Sequence, residues 1–171
     1  MLVIGIDPGT ATTGFGLIRE NLDGSLSLVE YGAILTPAEM PMPQRLLELH
    51  QQLRKILLLH RPKSGAVEKL FFHRNVTTAI SVGQGRGVVL LALAEAGLDV
   101  AEYTPLQVKQ AVVGYGGADK NQVQQMVRAL LGLEHVPSPD DAADALAIAI
   151  CHVHSSKVNA LIDSSETQGK P

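Results

Sequence analysis

Leu2, Val3, Ile4, Gly5 and Ile6 carry no polar side chain between them, and Asp7, Pro8 and Gly9 then end the run abruptly. A stretch this short and apolar at every position reads as a buried strand that ends in a charge. Such a strand is covered on both faces, so the core of this chain is expected to be a sheet with a layer above and a layer below. The Gly-rich residues 9–16 lead into a second strand through Phe15, Leu17 and Ile18, and residues 21–25 supply a turn. Leu26, Leu28 and residues 30–34 complete a third strand, which makes the opening third an antiparallel meander.

Periodicity changes at Pro43. Leu46, Leu47, Leu49, Leu53, Ile56 and Leu57 recur at helical spacing until Pro62. Ala66 and Val67 form a short strand ending at Glu68, a long helix follows over residues 77–96, and residues 100–103 make a fifth strand. Helices are expected at residues 105–112, 119–131 and 138–154. Three hairpin-linked strands followed by strands alternating with helices predict an α/β protein with a five-stranded mixed sheet. Three strands would be antiparallel and two parallel, with helices on both faces, which is the ribonuclease H-like fold. At 171 residues and 46% apolar content the chain suffices for one core and not two. Residues 1–156 are read as a single domain, and the polar residues 157–171, which include Gly169 and Pro171, as a flexible tail.

No run approaches the roughly 18 apolar residues of a membrane span. The first residues also lack the basic region and cleavage site of a secretion signal, so a cytoplasmic protein is expected. Cys151 has no second cysteine to pair with and sits in an apolar helical run, where it reads as a small hydrophobe. The net charge of -3 argues mildly against nucleic acid, but its distribution does not. Residues 54–128 hold ten basic and five acidic side chains, between flanks that each hold two basic and six acidic ones. A phosphate-tracking face and ordinary solvated charge both fit that pattern.

Four carboxylates carry the chemical signal. Asp7 ends the first strand and Glu68 the fourth, so if the two are parallel neighbours their side chains emerge at one edge. Asp141 and Asp144, three residues apart, share a face of the last helix. Such a cluster repels itself unless a cation neutralises it, and oxygen donors suit Mg²⁺ or Mn²⁺. Plainer roles exist for each: Asp7 before Pro8 and Gly9 can start a turn, and Asp141 can close a capping box opened by Ser138. Asp144 is harder to explain away, because it lies among Ala142, Ala143, Ala145, Leu146 and Ile148, where a lone charge is costly to bury. The glycines of GIDPGTATTGFG also suit a phosphate-cradling hairpin, as in sugar-kinase and actin-like nucleotide-binding domains, although those bind nucleotide between two such domains.

The runs GIDPGTATTGFG, AVEKLFF, GQGRGV, TPLQVKQAVVGYGGADKNQVQQMV and DDAADALAIAICH resemble, in order and spacing, the motifs of the RuvC family of crossover (Holliday) junction endodeoxyribonucleases. The resemblance implies a homodimer that binds four-way junction DNA and cuts two opposed strands symmetrically by metal-assisted hydrolysis. It places Asp7, Glu68, Asp141 and Asp144 at the catalytic metal-ligand positions, with two Mg²⁺ ions per site and Mn²⁺ as a substitute. Lys109 and Lys120 match basic positions tied to activity, and Phe71 matches an aromatic that inserts beside unstacked bases at the crossover. Arg74 and Arg86 become candidates for the DNA backbone, and the RuvA and RuvB branch-migration proteins become implied partners. Gly83 and Gly87, spaced four residues after Ala79, would line the subunit contact on the long helix, although packing against the sheet would also explain them. Gly85 stands where the family commonly has Ala, which should loosen that helix by roughly 1 kcal/mol. A junction binder without cleavage and a relative acting on RNA remain the competing readings.

Overall fold

The computed structural model describes residues 1–69 and 76–168, without the side chains of residues 76–78 and 157–168. Its elements follow the order β1 (Leu2–Asp7), β2 (Thr12–Glu20), β3 (Leu26–Leu35), α1 (Met42–His60), β4 (Ser64–Glu68), α2 (Val76–Glu95), β5 (Asp99–Tyr103), α3 (Pro105–Val113), α4 (Lys120–Leu130) and α5 (Asp140–Gln168). The five strands form one sheet in the order β3-β2-β1-β4-β5. The β1–β2 and β2–β3 pairs are antiparallel, while β1–β4 and β4–β5 are parallel. The expected mixed sheet is therefore present, with the parallel strands joined through helices as they must be.

Strand alternation divides the core in two. Ile4, Ile6, Phe15, Leu17 and Val67 face one way and pack with Leu49, Leu53 and Leu57 of α1 and with Val89, Ala92 and Leu93 of α2. Val3, Ile18 and Ala66 face the other way, onto α3, α4 and α5. The helices end where local chemistry stops them. Arg61 adopts a left-handed conformation (φ 49°) after α1, its N–H donating to the Leu57 carbonyl at 2.9 Å, and Pro62 follows. Capping boxes open α3 (Thr104 with Gln107) and α4 (Asp119 with Gln122).

Two expectations change at α5. The N–H groups of Ala142 and Ala143 reach the Pro139 carbonyl at 3.0 and 3.2 Å, so the helix opens one residue beyond Ser138. Among the described residues no hydrogen bond joins Ser138 to Asp141, so the capping-box alternative for Asp141 does not form. α5 also continues to Gln168, past the residue 154 at which the apolar pattern suggested an end. Residues 155–168 are polar, but they contain neither Gly nor Pro and nothing in them breaks a helix. Among the described residues no helix is long and apolar enough to cross a membrane.

Candidate active site

A period of two aims the carboxylates. Along β1, Val3, Gly5 and Asp7 share the α5 face, since Val3 packs there and Gly5 meets α5 directly. Along β4, Ser64, Ala66 and Glu68 share it as well, Ser64 accepting or donating a 3.1 Å bond with His152 of α5 and Ala66 joining the α5-side core. Because β1 and β4 are parallel neighbours, with Ile6 level with Val67, Asp7 and Glu68 leave the sheet at the same edge and on the same side.

Glycines then let α5 come down onto that face. A methyl group at position 14 would collide with the carbonyl of Asp141, and one at position 5 with the carbonyl of Ala145 and, at 2.5 Å, the amide of Ala149. At position 16 it would meet the Leu146 side chain at 2.7 Å. Gly14 is the direct neighbour of Asp7 across the β1–β2 ladder, so the closest approach of α5 is made beside Asp7 by the turn carrying Asp141 and Asp144. Gly5, Gly14 and Gly16 serve helix-to-sheet contact, so α5 fills the space an anion would need at those three glycines.

The resulting cluster is strained electrostatically. Burial pushes the Asp7 carboxyl up from 3.8 to about 7, and Glu68, Asp144 and Asp141 add repulsion that Lys120 only partly offsets. Glu68 is raised by burial and by Asp144. Asp144 is raised by burial too, despite its bond to Lys120. Lys120, the first residue of α4, places Nζ 3.1 Å from both Asp144 and Asp140. Its partial burial works against its charge, yet the two aspartates outweigh that and its pKa is raised. A cleft of about 190 Å³ opens alongside, with Glu68, Asp144, Lys109 and Lys120 around a floor that includes Val108, Val123 and Ile148.

The structure thus brings together Asp7, Glu68, Asp141, Asp144, Lys109 and Lys120. Phe71 and Arg74 lie outside the described residues. Arg86 is turned inward: its guanidinium forms an ion pair with Glu102 and its side chain is only 18% exposed. Asp140, given no role, shares Lys120 with Asp144 and accepts from Gln124 at 3.1 Å. The glycine floor and the inward turn of Arg86 were missed by sequence reasoning. The first had a readable signal, since Gly5, Gly14 and Gly16 fall on one face of two adjacent strands.

The donor set suits a hard divalent cation, being made of carboxylate oxygens, of which burial and the neighbouring carboxylates hold Asp7 up to about 7. Among the described residues no three of these groups already converge on a point within coordinating reach. Asp144 leans towards Lys120 through Oδ2, so a cation joining the set would compete with that ammonium for the carboxylate.

Sheet order, helix placement and a carboxylate cluster at the shared end of β1 and β4 define a protein of the ribonuclease H-like class. The yeast mitochondrial Holliday junction resolvase Ydc2 shares this fold at 16% identity, with a TM-score of 0.64 over 89% of this chain and 77% of that one. Residues 3–152 match the family described as Crossover junction endodeoxyribonuclease RuvC. Relatives of that description include one from Syntrophomonas wolfei, 55% identical over 98% of this chain and 97% of its own. Another, from Desulfitobacterium hafniense, is 64% identical over 91% of this chain and 93% of its own. Thermus thermophilus RuvC, 39% identical, superposes with a TM-score of 0.87 over 93% of this chain and 97% of that one. The chain belongs to the RuvC family.

Proposed function

We propose that this chain is a cytoplasmic Holliday junction resolvase of homologous recombination and DNA repair, cutting two opposed strands symmetrically as a homodimer. The observation that carries the reading is the four-carboxylate cluster at the shared end of β1 and β4, where burial and then the repulsion of its neighbours hold Asp7 up to about 7. A structure of Thermus thermophilus RuvC in complex with Holliday junction substrate, 37% identical and with a TM-score of 0.85, supports the substrate.

Asp7, Glu68, Asp141 and Asp144 would hold two divalent ions, Mg²⁺ or in its place Mn²⁺. When bound, the pair supplies the positive charge that activates a water and stabilises the leaving 3′ oxygen. Lys120 and Lys109 stand at the rim of the cleft beside Glu68 and Asp144, where their ammonium groups meet the phosphate being cut. Phe71 stacks on a base opened at the crossover, a contact worth on the order of 1–3 kcal/mol, and Arg74 follows the backbone; both assignments rest on family resemblance. The RuvA and RuvB partnership has the same basis.

The dimer is supported by α2. A methyl group at Gly83 or Gly87 would meet nothing within 4 Å, and Ile80 and Leu91 are 59% and 54% exposed, so this strip of α2 does not pack on its own sheet. The test is cleavage of a synthetic mobile four-way junction beside a linear duplex of the same sequence, with Mg²⁺ and with EDTA. Paired symmetrical nicks on the junction alone, lost in EDTA, are expected. Binding without cutting under any divalent ion would move the reading to a non-catalytic junction binder.

A further inference from the structure

We propose that Arg86 is a positioning residue for Glu68, an inference that rests on the nuclease reading of the carboxylate cluster. β4 pairs with β5 so that Val67 is level with Glu102 and Glu68 with Tyr103. Alternation along β5 then puts Tyr103 on the α5 side, where its hydroxyl lies 2.9 Å from Nδ1 of His152, and Glu102 on the α2 side. α2 delivers Arg86 to that side, and the guanidinium pairs with the Glu102 carboxylate. From there Nε of Arg86 donates to the main-chain carbonyl of Glu68 at 3.4 Å.

The carbonyl of Glu68 and the N–H of Lys69 belong to one peptide plane. That N–H donates to the Tyr103 carbonyl at 2.7 Å, at the far end of the same plane. The plane is held from both sides, by β5 and by Arg86, which restricts the backbone rotation that aims the Glu68 side chain. The Arg86 bond is long and weak by itself; the ion pair to Glu102 is what keeps the guanidinium in place. Gly85 makes the matching contact at the other strand end. A methyl group there would lie 3.1 Å from the Gly9 carbonyl and 3.2 Å from the Thr10 side chain, in the loop that follows Asp7. Two consecutive residues of α2 therefore brace the exits of both strands that carry carboxylates. This gives Gly85 a packing reason where helix propensity alone favours Ala. In this arrangement two of the Arg86 guanidinium nitrogens, Nε and one terminal nitrogen, are committed to Glu68 and Glu102.

Arg86→Gln, Arg86→Lys and Glu102→Gln in the full chain separate positioning from DNA contact, with melting curves confirming that each folds. Positioning predicts that Arg86→Gln and Glu102→Gln both weaken Mn²⁺ binding by calorimetry without DNA, and lower kcat at saturating junction, each by about 10- to 100-fold. Junction Kd and its salt dependence should stay within about 2-fold of wild type by these criteria. Arg86→Lys should recover part of both losses. The proposal is overturned if Arg86→Gln raises junction Kd and reduces the salt slope by about 1 while Mn²⁺ affinity is unchanged. It is equally overturned if Glu102→Gln behaves as wild type in the Mn²⁺ titration. Failure of the wild-type protein to cut the junction in Mg²⁺ would instead remove the nuclease reading on which the proposal stands.

Discussion

On one face of the sheet α5 lies against Gly5, Gly14 and Gly16; on the other, α1 and α2 lie against Ile4, Ile6, Phe15 and Leu17. The first contact is largely backbone to backbone, most tightly at Gly14 against Asp141, with the Leu146 side chain packed on Gly16. The second is an interdigitation of large side chains, with Leu49, Leu53 and Leu57 of α1 and Val89, Ala92 and Leu93 of α2 buried against the sheet. The carboxylates gather on the face where helix and strand backbones approach most closely. Burying apolar area needs bulk and adapts to small shifts, whereas bringing four like charges together needs a fixed helix-to-strand distance.

The largest effect should come from removing a charge on the tight face. Asp7→Asn is expected to cost on the order of 10³ in cleavage rate while leaving junction binding intact, read by single-turnover cleavage and by binding in EDTA. The same residue gives the metal-free protein a pH signature. Its carboxyl rises from 3.8 to about 7 on folding, so between those values the folded chain keeps a proton that the unfolded chain has lost. The stability contributed by Asp7 in EDTA should therefore be fully present below about pH 4 and be lost as pH rises towards 7, by up to roughly 4 kcal/mol. Urea denaturation in EDTA should show that decline in wild type and a flatter profile in Asp7→Asn. Added Mg²⁺ should restore wild type at pH 8 and leave the variant nearly unchanged. A wild-type profile that is flat in EDTA would contradict the burial and repulsion assigned to Asp7.

A pair of glycine substitutions tests the two faces directly. Gly14→Ala drives a methyl group into the Asp141 carbonyl, which cannot move without shifting α5, and should cost on the order of 3 kcal/mol together with most of the cleavage activity. Gly65 lies on the opposite face, where the nearest neighbours of a methyl group are the flexible ends of Leu93 at 3.3 Å and Ile4 at 3.6 Å. Gly65→Ala should change stability by less than about 1 kcal/mol and spare the activity. Equal midpoints for the two variants in urea would mean that the faces do not differ as described.

The legible part of this molecule was whatever a period records. β1, α1 and the ends of β4 and β5 follow from apolar spacing, and Asp7 with Glu68 follows from two strands that stop in a charge. Strand alternation also contained the glycine floor, but the composition of the Gly-rich hairpin drew attention to anions first. α5 begins at Asp140, two residues after the Ser138 expected from the sequence, because the Pro139 carbonyl opens the helix. Its end was misread because a polar stretch suggests a tail, although polarity alone does not break a helix. The inward turn of Arg86 could not be read from the chain, since its partner Glu102 comes from a strand whose register is set only by folding.

The smallest effect should come from Asp140, and it bears on how the tight face is tuned. Lys120 divides its ammonium between Asp140 and Asp144 at 3.1 Å each, and only Asp144 belongs to the cluster beside Asp7. Asp140 is fully exposed, with its carboxyl held below the usual range first by the hydrogen bond from Lys120 and then by Gln124. An exposed pair of this kind contributes little to folding, so Asp140→Asn should leave the melting temperature unchanged. What it removes is a competitor for the lysine. Freed from Asp140, Lys120 should engage Asp144 more fully and weaken Mg²⁺ binding by a small factor, about 2- to 3-fold, because the ion must displace a better-held ammonium. Lys120→Gln should move Mg²⁺ affinity the opposite way while lowering kcat. Opposite signs for these two variants in a Mg²⁺ titration would place Asp140 outside the catalytic set but inside its control; identical signs would mean that Lys120 acts on the phosphate alone.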